Sequence, residues 1–147
     1  TQISSETTNL ANVLKQLESR FSDTTLQLDY QPDELDVSVK IATHQLKIIL
    51  NNLFDNSLKH QANLVKISAT QQDEIITLLV HDNGAGVSPA NHGRVFTPFF
   101  TTRRENGGTG LGLGIVESLL KVWNGEIELL DSEDGALFRI TLFSATS

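Results

Sequence analysis

The segment of residues 75–80, Ile-Ile-Thr-Leu-Leu-Val, restricts the fold more than any other part of the sequence. It is almost continuously apolar, as expected of a central strand that is covered on at least one face. Just before it, residues 65–69 alternate apolar and polar side chains, which predicts a neighbouring strand. We expect the two strands to pair through a turn at residues 71–73, so the helices must pack on a sheet built around them.

Three other stretches have the apolar spacing of helices: residues 9–21, 43–60 and 111–123. The second contains neither glycine nor proline, and we expect it to begin with Thr43 as its N-cap. Its apolar stripe consists of Leu46, Ile49, Leu50 and Leu53. The chain is therefore predicted to contain three amphipathic helices.

Four further segments are predicted as strands. They are residues 25–30, 37–41, 125–131 and 137–143, the last two joined by a turn at residues 132–135. Strands and helices follow one another without a regular βαβ repeat. This order predicts an α+β fold built as a two-layer α/β sandwich.

Length and charge exclude several classes of protein. The 147 residues suit one domain, 1–147, without a linker. The net charge of -7 lacks the basic excess that binding to nucleic-acid phosphates demands, and the absence of cysteine excludes disulfides and thiolate metal sites. No apolar run approaches the roughly 20 residues that span a bilayer. We expect a soluble chain that is not itself membrane-spanning and does not bind nucleic acid.

A polar stripe lies on the predicted helix of residues 43–60. Asn52, Asn56 and Lys59 are spaced i, i+4 and i+7, so they share one stripe turned away from the apolar one. Two amides and an ammonium on one line suit a metal ion and a phosphate. A solvated helix face explains the same triplet, so the spacing alone leaves both interpretations open.

A segment rich in glycine runs from residue 82 to 110, far beyond the usual connection of about 4 to 6 residues, so it is either functional or disordered. It starts with Asp82-Asn83-Gly84-Ala85-Gly86, directly after the apolar strand. A carboxylate there can accept a hydrogen bond from an amino group such as that of adenine, while the glycines let the backbone approach a ligand. Asp-Asn-Gly also favours a tight turn by itself.

The middle of this segment is aromatic and then basic. Three phenylalanines within residues 96–100 need apolar surroundings. They either anchor a long loop to the core or belong to a hinged lid. Thr101, Thr102, Arg103 and Arg104 follow. The arginines can meet phosphate oxygens, although a solvated basic pair is the simpler account.

Five glycines within residues 107–114 lead into the third predicted helix. Free backbone N–H groups and the positive end of a helix bind anions at such a place. No Gly-Lys-Ser/Thr follows, so this is not a Walker phosphate loop, and no strand precedes it closely enough for a dinucleotide fingerprint. A flexible linker is the alternative, but the apolar residues between the glycines argue against it.

The four motifs, in this order, resemble those of the gyrase, chaperone, histidine-kinase and mismatch-repair ATPase superfamily. Residues 52–60 look like the histidine-kinase asparagine box, 82–86 like the first glycine box, 96–100 like the phenylalanine box and 108–113 like the second glycine box. The resemblance covers nearly the whole chain. It implies the Bergerat-type ATP-binding fold, in which a mixed sheet of about five strands is covered by about three helices.

The resemblance also implies binding of ATP with Mg²⁺. Asn56 would coordinate the metal, Lys59 would touch the phosphates and Asp82 would bind the adenine amino group. Arg103 stands where related kinases have lysine and would be a cation of the lid. The implied nucleotide site comprises Asn52, Asn56, Lys59, His60, Asp82, Gly84, Gly86, Phe100, Thr101, Thr102, Arg103, Gly108, Thr109, Gly110, Leu111, Gly112 and Leu113.

One position separates a kinase from an ATPase. Hydrolysing members of the superfamily carry a glutamate one helical turn before the magnesium asparagine, where it activates water. Here that position is Asn52, an amide that takes up no proton at neutral pH. We therefore expect poor hydrolysis and a histidine kinase. The alternatives are an anti-sigma-type serine kinase or ATPase of the same superfamily, and a non-catalytic nucleotide-binding module.

A phosphate-accepting histidine is not found in the chain. His44 comes closest to the acceptor pattern but lacks the following acid and the proline, so it is predicted as a surface residue. We expect residues 1–21 to follow a separate dimerisation and phosphoacceptor domain, and the isolated chain to be a monomer. The resemblance further implies a response regulator downstream, and a cytoplasmic location as part of a membrane-anchored bacterial kinase.

Overall fold

The computed structural model describes residues 6–85 and 112–145 of the chain. Within them the chain forms three helices and seven strands. In chain order these are β1 (Thr8–Asn9), α1 (Leu10–Phe21), β2 (Gln27–Asp29), β3 (Ser38–Val39), α2 (Thr43–Lys59), β4 (Leu64–Gln72), β5 (Ile75–Asp82), α3 (Gly112–Val122), β6 (Glu126–Leu130) and β7 (Leu137–Phe143). The three predicted helices are confirmed.

The main sheet has five strands in the order β2-β4-β5-β7-β6. β2 pairs with β4 in parallel, and all other neighbours are antiparallel. The apolar strand β5 lies at the centre, as its sequence predicts. Its last residue, Asp82, is paired with Val65 of β4, and His81 is paired with Leu137 of β7. The mixed sheet of five strands is therefore confirmed.

The sheet has one fully buried face. Along β5 the residues Ile76, Leu78 and Val80 are buried, whereas the side chains between them are only half-buried. The buried faces of the helices belong to the same continuous apolar core. This is the two-layer α+β sandwich predicted from the order of the elements.

Helix α1 is part of this core. Asn9 caps its start, since the Asn9 side chain accepts a hydrogen bond from the backbone N–H of Asn12 at 3.1 Å. Its apolar side is buried over the whole length of the helix. Phe21 packs edge-on against Phe54 of α2 with ring centroids 5.7 Å apart, and Arg20 forms an exposed ion pair with Asp55 at 3.3 Å.

Helix α2 begins differently from the prediction. Its N-cap is Ala42, which offers no side-chain hydrogen bond, and Thr43 is the first helical residue. The N-cap prediction for Thr43 was therefore wrong. The Thr43 hydroxyl lies instead 2.9 Å from that of Thr8, which is itself buried and donates to the carbonyl of Ile41 at 2.7 Å.

Two strand predictions also need correction. The segment 37–41 contributes only β3, which pairs with the unpredicted β1 in a separate two-stranded sheet. The turn between β4 and β5 is not at residues 71–73, since Gln72 is still paired with Ile75 and only Asp73 and Glu74 lie between them. Asp73 takes a positive φ of 56°, a conformation that Asp tolerates well in tight turns.

The C-terminal end of helix α3 is hydrogen-bonded to helix α2. The indole N–H of Trp123 donates to the side-chain oxygen of Gln45, and Trp123 is buried. Asn124 adopts a positive φ of 61° and ends the helix, after which the N–H of Gly125 bonds to the carbonyl of Leu120 at 2.8 Å. This arrangement turns the chain directly into β6.

In the part of the chain that the structure describes, no helix is both long and apolar enough to cross a bilayer.

Candidate functional site

The carboxylate of Asp82 lies at the end of the central strand and is almost completely buried, with 4% of the residue exposed. Its Oδ1 accepts hydrogen bonds from the backbone N–H groups of Gly84 and Ala136, at 3.0 and 2.9 Å. Its Oδ2 accepts a hydrogen bond from the Ser57 hydroxyl at 2.7 Å. A buried carboxylate requires such donors, because desolvation is otherwise costly. Three elements, α2, β5 and the β6–β7 hairpin, therefore fix this side chain.

One acceptor position of Asp82 is left unused by residues 6–85 and 112–145. A carboxylate offers about four lone-pair sites, and three are used by the donors named above. The remaining site can accept one hydrogen bond from a ligand. It cannot donate one, since an ionised carboxylate carries no hydrogen.

The segment after Asp82 is bound to the end of α2. The N–H of Ala85 donates to the carbonyl of His60 at 2.8 Å. The side-chain oxygen of Asn83 accepts from the backbone N–H groups of Asn63 and Leu64, at 2.9 and 3.0 Å. The bond from the Gly84 N–H to Asp82 also closes a tight turn. The turn and the ligand-binding carboxylate are thus compatible interpretations of one sequence.

Gly84 is required by close packing against the protein itself. A Cβ at this position would lie 2.6 Å from the carbonyl oxygen of His60. No side chain fits there without a shift of the backbone. The first part of the glycine motif thus brings the Asp82 loop against helix α2, which the sequence alone did not reveal.

The polar stripe of α2 is present as predicted from its spacing. Asn52 and Asn56 are half-buried and Lys59 is exposed, so the asparagines lie at the border of the apolar face instead of on its far side. The Asn52 side-chain N–H donates to the carbonyl of Ile48 at 2.8 Å. Within the described residues, the side chains of Asn56 and Lys59 form no hydrogen bond or ion pair.

Ser57 joins this stripe to the carboxylate. It directly follows Asn56 on α2, and its hydroxyl contacts Asp82. Asp82 is therefore held beside the same helical turn that carries Asn56 and Lys59. The sequence places these residues in separate motifs, and the fold brings them together. His60, half-buried just after α2 ends, completes this turn and contacts the Asp82 loop through its carbonyl.

A metal ion at Asn56 would need ligands from elsewhere. Among residues 6–85 and 112–145 there is no group of three or more acidic or histidine side chains that could hold a metal. Mg²⁺ prefers oxygen ligands and usually combines few protein ligands with water and substrate phosphates. The amide oxygen of Asn56 beside the cation of Lys59 fits a metal that arrives with a phosphate.

Two positioning residues were missed by the sequence analysis. Ser57 looks like a small residue of the apolar stripe, one turn after Leu53. Gly135 was predicted only as part of a turn, yet a Cβ on it would lie 2.6 Å from Oδ1 of Asp82. Both contacts join residues far apart in the sequence, so no local pattern could have revealed them.

Several predicted site residues lie outside the described residues. They are Gly86, Phe100, Thr101, Thr102, Arg103, Gly108, Thr109, Gly110 and Leu111. Gly112 is the first residue of α3, and Leu113 is half-buried and packs against the apolar core. His44 is exposed on the first turn of α2, which confirms its prediction as a surface residue.

The comparisons with known proteins agree with one another. The model of the family described as histidine kinase-, DNA gyrase B- and HSP90-like ATPase matches residues 41–146. The sensor histidine kinase CpxA of Escherichia coli strain K12 is 36% identical over 96 residues, which are 63% of this chain and 21% of CpxA. The alginate biosynthesis sensor protein KinB of Pseudomonas aeruginosa is 29% identical over 143 residues, or 91% of this chain and 24% of KinB.

A solved structure has the same fold. The catalytic domain of the histidine kinase ThkA superposes with a TM-score of 0.80 at 24% identity, over 93% of each chain. The chain covers 93% of this solved domain, but only about a fifth to a quarter of the length of CpxA and KinB.

Proposed function

The chain belongs to the family of histidine kinase-, DNA gyrase B- and HSP90-like ATPases, and we propose that it binds ATP with Mg²⁺ and donates the γ-phosphoryl group to a histidine of a separate dimerisation and phosphoacceptor domain. The single observation that carries this proposal is the environment of Asp82. Among the described residues, a buried carboxylate with one acceptor position left lies beside the helical turn of Asn56 and Lys59, whose side chains have no partner there.

Asp82 suits the adenine end of the nucleotide. The exocyclic amino group of adenine is a hydrogen-bond donor, and the carboxylate has an acceptor position but no hydrogen to donate. A bond to an ionised group is worth about 1.5–3 kcal/mol, more than a neutral one. Asp82 would therefore bind adenine and reject a base that offers a carbonyl at the same place.

Asn56 and Lys59 suit the phosphate end. Asn56 would hold the metal through its amide oxygen, and Lys59 would contact phosphate oxygens through its ammonium group. The bound Mg²⁺ would neutralise part of the triphosphate charge. Both side chains are available for this, since neither is engaged by another described residue. Arg103, Thr101, Thr102 and the glycines 108, 110 and 112 would complete the phosphate site.

Asn52 favours a kinase over an ATPase. Its amide nitrogen donates to the carbonyl of Ile48, four residues earlier in the same helix, which is a local bond and not the position of a base. A side-chain amide does not take up a proton, so water near the γ-phosphate is not activated. The phosphoryl group can then persist until an acceptor histidine is in line with it.

The wider role follows from the same relatives. Since CpxA and KinB are several times longer than the matched region, we propose that this domain works with a phosphoacceptor domain of its own kinase and with a response regulator downstream. We further propose that it acts in the cytoplasm, where ATP is supplied, as part of a membrane-anchored bacterial kinase. By itself it would be a monomer and would not label itself.

Calorimetric titration tests the nucleotide site. The chain should bind ATP only with Mg²⁺ present, and Asp82→Ala should weaken binding by roughly 10- to 150-fold. Asp134→Ala is the matched control, because it removes an exposed aspartate from the nearby hairpin. Urea unfolding of both variants shows whether they stay folded. Equal affinity of the wild type and a folded Asp82→Ala variant would show that adenine is held elsewhere.

Phosphate transfer tests the activity. With labelled ATP and the phosphoacceptor domain of the same kinase, label should appear on that domain and be lost in acid, as expected of phosphohistidine. Acid-stable label would indicate a serine kinase instead. Rapid hydrolysis without an acceptor would indicate an ATPase, and binding without either reaction would indicate a non-catalytic module.

A further inference from the structure

Ser57 has one hydroxyl hydrogen and two acceptors within reach. The hydroxyl oxygen lies 2.7 Å from Oδ2 of Asp82 and 3.1 Å from the carbonyl oxygen of Leu53, and the residue is 2% exposed. Both neighbours can only accept a hydrogen bond. The shorter contact to a charged oxygen takes the hydrogen, because charge-assisted hydrogen bonds are shorter and stronger than neutral ones.

This bond decides which part of Asp82 faces a ligand. Oδ1 already receives two backbone N–H groups, from Gly84 and Ala136. Among the donors that the described residues supply, Oδ2 receives only the Ser57 hydroxyl. The open acceptor position is therefore on Oδ2, beside the oxygen of Ser57.

We propose that Ser57 is a positioning residue for nucleotide selection. It fixes Oδ2 of Asp82 so that its one open acceptor position is aimed at an exocyclic amino group of the base. This inference rests on the proposed function, since it concerns the same nucleotide site. The bonds to Oδ1 alone would hold the carboxyl group less firmly, because both donors bind the same oxygen. The Ser57 bond adds the second fixed point.

A purely structural role for Ser57 makes a different prediction. Buried serines in helices often bond to the carbonyl four residues earlier, here that of Leu53, and contribute only to the helix. Substitution would then change the stability of the domain and weaken all nucleotides alike. The positioning role affects only a ligand that carries the amino group.

A pair of ligands separates the two roles. The first is ATP, and the second is the triphosphate of purine riboside, which has the same ring but no 6-amino group. Calorimetry gives the affinity of each for the wild type and for Ser57→Ala. Ser118→Ala is the control, since Ser118 is an exposed serine on α3.

The wild type should prefer ATP by roughly 10-fold or more, as expected of a hydrogen bond to a charged group. In Ser57→Ala this preference should fall by about 3- to 10-fold, the range of one lost orienting hydrogen bond. Affinity for the purine riboside triphosphate should be unchanged. Ser118→Ala should retain the full preference.

Three results would overturn the inference. An equal loss of affinity for both ligands in Ser57→Ala means that Ser57 has a structural role only. An unchanged or larger preference for ATP means that Ser57 does not position Asp82. If the wild type binds neither ligand, the proposed function itself fails and takes this inference with it. Ser57→Cys keeps the volume with a weaker donor, so an intermediate preference is expected and the test does not depend on the folding of one variant.

Discussion

Gly135 lies directly against Asp82, although 52 residues separate them in the chain. A Cβ on Gly135 would be 1.9 Å from the backbone carbonyl oxygen of Asp82 and 2.6 Å from its Oδ1. Gly135 also has a φ of 64°, which favours glycine. The next residue, Ala136, donates its N–H to the same carboxylate. The hairpin between β6 and β7 is thus shaped around Asp82.

The first prediction concerns this contact. Gly135→Ala should lower the free energy of unfolding by more than the roughly 1–2 kcal/mol expected from the left-handed backbone alone, because the new methyl group overlaps the Asp82 backbone. Urea unfolding measures the loss. Asn124→Ala is the matched control, since Asn124 has a φ of 61° and already carries a Cβ, so the substitution adds no atom. If the two variants lose the same stability, the close packing on Asp82 is unimportant.

The second prediction concerns Asn52. Asn52→Glu places a carboxylate where hydrolysing relatives have one, so ATP hydrolysis by the isolated chain should rise, within the roughly 10²- to 10⁴-fold range of a general base. The rate of γ-phosphoryl transfer to an acceptor domain should decrease. Asn52→Gln has the same length without the acid and should show neither change. A wild-type chain that already hydrolyses ATP rapidly would contradict the role drawn from Asn52.

The third prediction concerns helix α1. Leu14 is 1% exposed and belongs to the common core, so Leu14→Ala should cost about 2–5 kcal/mol of unfolding free energy. Lys15→Ala, at an exposed position of the same helix, should change stability by less than about 0.5 kcal/mol. Thermal or urea unfolding checks both. A small effect of Leu14→Ala would mean that α1 contributes little to the common core.

The fourth prediction concerns Tyr30. Burial, followed by the 2.8 Å hydrogen bond to Glu18 and the charge of that residue, raises the pKa of Tyr30 from 10.0 to about 12. Because the folded state holds this proton more tightly than the unfolded state, the stabilisation is complete below pH 10 and is lost as the pH rises to about 12.

Absorbance of the tyrosinate form measures this directly, since the chain has a single tyrosine. At pH 11 the folded protein should show little tyrosinate, whereas the urea-unfolded protein should show mostly tyrosinate. Glu18→Gln should lower the folded pKa but leave it above 10.0, because burial is the larger cause. A Tyr30 pKa near 10 in the folded wild type would contradict both the burial of Tyr30 and its hydrogen bond to Glu18.

The sequence predicts most of the scaffold because its signals are local. The apolar run of β5 and the uninterrupted stripe of α2 each identify an element by themselves. β1 escaped prediction because two residues show no periodicity, and the hydroxyl of Thr8 within it is buried and bonds to the carbonyl of Ile41. A short strand with a polar side chain in the core has no sequence pattern to recognise.

The site is only partly predictable from the sequence, because some of its contacts join residues that are far apart in the chain. Asp82, Asn56 and Lys59 belong to recognisable motifs, and their roles as ligands stay predictions. The groups that orient Asp82 come from 25 residues before it and 54 residues after it, through Ser57 and Ala136. Such pairings depend on how the helix and the hairpin pack on the sheet, and no single segment of the sequence predicts this packing.

The position of β7 between β5 and β6 has a consequence for biosynthesis. Among the described strands β7 is the last to be synthesised, yet it pairs with the central strand and brings Ala136 to Asp82. Until it emerges, β5 of the nascent chain has one bare edge and the carboxylate lacks one of its donors. Unpaired strand edges in incomplete chains promote aggregation, so the residues of β7 protect the strand β5 that is synthesised before them. A ribosome stalled before residue 137 would therefore hold a chain in which β5 is paired only with β4 and Ala136 is not yet held beside Asp82.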